Sequence, residues 1–128
     1  MSHRVLLTGV AEDDLNGLGF DNVQKAHALD LAMRLEDLDQ PEEIVDLDIR
    51  QFDHFYEVRQ LIDSGGPLRS RQVQLRFGVV EKEDGDIVVL QITDDHENPD
   101  AIEMVVLEDR YRSYLNTGVA RVLVDSAI

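Results

Sequence analysis

Apolar positions in the second half of the chain recur every second residue. Val73, Leu75, Phe77 and Val79 alternate with Gln72, Gln74, Arg76 and Gly78, the pattern of a strand with one buried and one wetted face. Glu83-Asp84-Gly85-Asp86 follows, and its Asp-Gly dipeptide suits a tight hairpin turn. Ile87 to Thr93 supplies the returning strand.

The first half repeats at a longer interval. Arg4 to Val10 reads as a short opening strand and Asp13 to Phe20, with Gly17 and Gly19, as a loop. Asp21 is an N-cap with Gln24 as its capping-box partner, and Gln24, Ala28, Leu31, Leu35 and Leu38 share one helical stripe. These positions predict a helix from Asn22 to Leu38. Pro41-Glu42-Glu43 has the composition of a first helical turn, and Val45, Ile49, Phe52 and Tyr56 continue a stripe. A second helix to Asp63 follows. The same stretch, Val45 to Arg50, also alternates with a period of two, the competing reading of a strand. Asp94 to Asp100 reads as a polar loop, Ile102 to Leu107 as a strand, and Glu108 to Asn116 as a short helix setting Tyr111, Tyr114 and Leu115 against the sheet. Pro99 offers the alternative of a helix starting at once. Val119 to Val124 closes the sheet. The expected fold is α+β, an N-terminal helical hairpin on one face of a small, mainly antiparallel sheet, and the 128 residues are read as one domain.

Charge adds the next constraint. Lys and Arg number 12 against 27 Asp and Glu, a formal net charge of −15. Such a balance argues against direct nucleic-acid binding and against an anionic membrane surface, both of which need clustered cations. Cysteine is absent, which excludes disulfides and thiolate chemistry. The opening apolar run, Val5-Leu6-Leu7, is far shorter than a signal or membrane segment, so a cytoplasmic protein is expected. The acidity is densest at Glu36, Asp37, Asp39, Glu42, Glu43, Asp46 and Asp48, a run without a base. Ser64 to Val80 has no acid and carries Arg69, Arg71 and Arg76, a positive island that either pairs with the chain's own acids or docks an acidic group. Only Lys25 and Lys82 are lysines. Strong acidity with little lysine suits a salt-rich cytoplasm, although a GC-rich genome also favours arginine.

Candidate chemistry is sparse. His3 lies at a terminus; His27 borders the apolar stripe and reads as a partly buried structural histidine; His54 shares a face with Asp53 and Glu57 and reads as solvent-exposed. Asp94-Asp95-His96-Glu97-Asn98-Pro99-Asp100 is rich in oxygen ligands, but it departs from the calcium-loop pattern: Pro99 stands at the glycine position and Val105 at the glutamate position. No nucleophile elbow or phosphate-cradling loop is present. Acids 108 and 109 offset the cations of Arg110-Tyr111-Arg112. No metal set, catalytic set or cofactor is assigned.

The expected function is therefore a non-catalytic binding or regulatory domain. Its acidic surface, Glu36 to Asp48, would meet a protein partner with a basic face, and Arg69, Arg71 and Arg76 would form a second patch. Edge strands and those arginines make a homodimer a further expectation. The alternative is a small α+β enzyme using carboxylate, histidine or divalent-metal chemistry around residues 94–100.

Overall fold

The computed structural model describes residues 3–39, 46–66, 70–80, 85–95 and 97–125. In chain order these form β1 (Val5–Leu7), α1 (Gly9–Gly17), α2 (Asn22–Arg34) with a 3-10 turn at Leu35–Asp37, β2 (Asp48–Phe52), β3 (Phe55–Ile62), β4 (Arg71–Val79), β5 (Ile87–Thr93), α3 (Ala101–Thr117) and β6 (Arg121–Val124). The strands make one sheet in the order β2-β3-β4-β5-β1-β6. Every neighbouring pair is antiparallel except β1 beside β5. The architecture is α+β, with the N-terminal helices on one sheet face.

Alternation along the strands sorts two cores onto the two faces. Val5 and Leu7 join Leu75, Phe77 and Val89 under Ala11 and Leu15 of α1 and Ala28 and Leu31 of α2. The intervening Leu6 joins Val88, Leu90 and Phe55 under Leu107 and Tyr114 of α3. Burying each large aliphatic side chain contributes about 1.5–3 kcal/mol, so both faces stabilise the sheet and neither is wetted along its length.

Local capping explains the helices. The Thr8 hydroxyl accepts from the Ala11 N–H and starts α1, so the expected loop at Asp13 to Phe20 is helical as far as Gly17. Two glycines close together suggested a break; the chain uses them to end the helix, with Gly19 at φ 73°. The Asp21 and Gln24 capping box forms as expected. The α-helix yields to 3-10 geometry at Leu35.

Further expectations are overturned. The proposed second helix is a β-hairpin: Asp48–Phe52 pairs with Phe55–Ile62, joined by Asp53-His54 with Asp53 at φ 57°; residues 40–45 lie outside those described. The alternating, β-branched and aromatic composition prevailed over the helical stripe. The proposed strand at Ile102 to Leu107 is the first half of α3. There Asp100 and Glu103 form a second capping box directly after Pro99, and a short run that is apolar except for Glu103 carries too little period to distinguish the two. At the far end of α3, Tyr114 is buried while Leu115 is 52% exposed; the expected sheet contact of Leu115 is not made.

Candidate functional site

The sheet register lines up Glu57 of β3, Arg76 of β4 and Gln91 of β5 on the α3 face. Arg59 and Gln74 form the adjoining pair. By sequence, Gln74 and Arg76 belong to a wetted face; in the structure α3 and the segment before it cover them, and Glu57, Gln74 and Arg76 are all 0% exposed. Arg76 therefore cannot serve an exposed patch. Its Nε donates to Glu57 at 2.8 Å, one terminal nitrogen donates to Gln91 at 2.8 Å and to the Glu103 carboxylate, and the other donates to the Glu97 carbonyl at 3.0 Å. Asp95 lies 3.6 Å away. Burial alone would lower the Arg76 pKa, but hydrogen bonds and charge from Glu57 and Glu103 outweigh it and raise the pKa above its ordinary value. Arg59 donates to the other Glu57 oxygen and to Asn98 Oδ1, and Gln74 donates to Glu57 and to the Glu97 carbonyl.

This network uses much of the segment that attracted the enzymatic alternative. The Glu97 carbonyl and Asn98 receive buried donors, Asp94 pairs with Arg71, and Asp100 caps α3. Asp95 accepts from the Glu97 N–H. His96 lies outside the described residues. Among those described, no group of three or more His, Cys, Asp or Glu side chains is placed to hold a metal ion.

The two described arginines of the positive island, Arg71 and Arg76, are internally compensated. Arg71 pairs with Asp94 and its guanidinium sits 4.4 Å from the centre of the Phe20 ring; Arg69 lies outside the described residues. The same holds across the molecule. Arg4 meets Asp86, Arg34 meets Asp46, Arg50 meets Asp48, Arg110 meets Asp14, Arg112 meets Glu108 and Arg121 meets Glu12. Every arginine among the described residues thus contacts a carboxylate of its own chain.

The acidic run is not displayed around a helical hairpin, because its second helix does not form. Glu36 and Asp37 lie in the 3-10 turn after α2, half-buried, and make no ion pair among the described residues. The half-exposed Asp39 carboxylate is 3.5 Å from His3 Nε2. Asp46 is clamped by two Arg34 nitrogens, whose hydrogen bonds hold its carboxyl below the usual aspartate range. Asp48 sits on the edge strand β2 beside Arg50. Glu42 and Glu43 lie outside the described residues.

The remaining histidines also moved from their expected places. His27 is exposed rather than partly buried; it lines a cavity of about 210 Å³ with Asp30, Arg34 and Asp63. His54 is exposed as expected, but it occupies the β2–β3 turn, away from buried Glu57, with Nε2 2.8 Å from Glu108. A cavity of about 550 Å³ opens beside it, lined by Gln51, Asp53, His54, Tyr56, Val79 and Tyr111. A third, of about 350 Å³, lies between the start of α1 and the end of α3. Among the described residues no helix is long and apolar enough to cross a membrane.

Sequence reasoning missed the aromatic cavity and the buried network, since both join residues far apart in the chain. The one available signal was Glu57 and Arg76 at polar positions of strands that carry an apolar alternate face. No protein-family model, curated protein or solved structure matches this chain.

Proposed function

We propose that this protein is a non-catalytic binding domain that uses its acidic exterior to dock a protein partner with a basic surface. The observation that carries the reading is the engagement of every described arginine by an internal carboxylate, while acids exceed bases by 27 to 12. Cations engaged in this way leave an excess of negative charge, and such a field steers a partner of opposite sign towards it. Glu36, Asp37 and Asp39 make up the part of the acidic run without an ion pair to an arginine among the described residues. The commitments of Asp94, Asn98 and Asp100 to fold contacts favour binding over chemistry at that loop.

Fluorescence anisotropy with a labelled arginine-rich polypeptide tests the reading. Saturable binding at low salt should weaken roughly tenfold or more at high salt. Neutralising Glu36, Asp37 and Asp39 together should weaken it further than neutralising Asp13, Asp30 and Asp109. Absence of binding at low salt, or binding indifferent to salt and to both sets, would refute it.

A further inference from the structure

The geometry points to the cavity at the β2–β3 turn as a receptor for one arginine side chain of the basic partner. This inference rests on the docking reading and gives it a defined contact. Three aromatic side chains, His54, Tyr56 and Tyr111, line the cavity together with the Asp53 carboxylate, which is 76% exposed. No lysine or arginine stands among the described lining residues.

Tyr56 reaches the cavity from the α1/α2 face of the sheet and Tyr111 from the α3 face, and each ring is backed by the core of its own face. Tyr56 stacks on buried Phe77 with centroids 5.7 Å apart, and Tyr111 meets buried Phe55 edge-on at 5.8 Å. Tyr111 also rests against Gly78, where an added Cβ would come within 3.2 Å of the ring. His54 packs on Phe55 at 4.1 Å and is bracketed by Asp53 and Glu108. Asp53 adopts a left-handed backbone, φ 57°, at the head of the turn, and its carbonyl accepts from the Gln51 side chain. Such conformations persist only where the surroundings enforce them. Fixed aromatic faces beside a carboxylate match a guanidinium, which is planar, stacks on rings and forks to carboxylates. An ammonium would gain the charge term but not the planar one.

Titration of the full chain with blocked arginine, N-acetyl-arginine methylamide, and with its neutral isostere N-acetyl-citrulline methylamide, followed by NMR, tests the assignment. Arginine should produce saturable shifts at His54, Tyr56 and Tyr111, with citrulline weaker by about threefold to tenfold. Asp53→Asn, which tolerates the left-handed backbone, and Tyr56→Leu should each reduce the arginine response by a similar factor, with dispersed spectra showing that the fold persists. No saturable shift, equal response to citrulline, or an unchanged response in both folded variants would overturn the assignment. The two failures are distinguishable: salt-sensitive binding of the polypeptide without these shifts removes the arginine receptor alone, whereas shifts without polypeptide binding remove the docking reading.

Discussion

An arginine with no exposed surface is tolerated only while its charge and its donors are all met, and Arg76 meets both conditions through residues from four separate segments. Glu57 comes from β3, Gln91 from β5, Glu97 from the following loop and Glu103 from α3. Removing the guanidinium takes from the Glu57 and Glu103 carboxylates the cation they share. Arg76→Met is therefore expected to cost about 3–5 kcal/mol, measured by urea denaturation. Adding Glu57→Gln to that variant should recover part of the loss, whereas Arg76→Lys should not restore the original stability, because an ammonium lacks the five-donor fork. Additive losses in the double variant would show that the pair is not coupled. Acid sensitivity has other sources. The carboxyls of Asp21, through the Gln24 N–H, and of Asp46, through Arg34, lie below their ordinary value in the folded state. A depressed folded pKa gives stability that is present above the unfolded value and lost as pH falls through the folded one. Stability should thus decline below about pH 4, and Asp21→Asn, which keeps an acceptor but not the titration, should flatten part of that decline in acid-titrated melts.

Among the elements, α3 has the most to do with both sites: its first turn delivers Glu103 to Arg76 and its third places Tyr111 on Gly78. Its start depends on the reciprocal bonds between Asp100 and Glu103. Asp100→Ala should destabilise the protein by about 1 kcal/mol, and amide exchange should rise first at residues 101–104; a uniform rise along the helix would mean that the cap acts only on global stability. The elements legible in the sequence were those whose signals were local and unopposed. The β4–β5 pairing followed from the alternation of Val73 to Val79 and the Asp84-Gly85 turn signal, and the start of α2 from Asp21 with Gln24. Ile102 to Leu107 was not legible, because a short run that is apolar except for Glu103 fits a strand and a helix alike. For Val45 to Asp63 both periods were present, and long-range pairing of β3 with β4 decided between them. The acidity of the candidate site was plain from composition. The burial of Arg76 was not, because alternation shows which strand face is polar without showing that a later helix will cover it.

For the whole molecule, a net charge of −15 acts on folding and on docking in opposite directions. Within one chain, carboxylates left over after the arginines are engaged repel each other, and a compact state holds them closer than an unfolded one. Dissolved ions shorten the range of that repulsion to about 10 Å at 0.1 M and 3 Å at 1 M. The exposed ion pairs also weaken with salt, but each contributes only about 0–1 kcal/mol, and the shielded pairs around Arg76 are screened less. The melting temperature should therefore rise from dilute buffer to molar potassium chloride. Affinity for a basic polypeptide should fall across the same range, since there screening removes attraction. Measuring both in one salt series separates the field from the fold: a melting temperature that falls with salt would show that ion pairs outweigh repulsion, and an affinity that rises with salt would show that apolar contact, rather than surface charge, governs association.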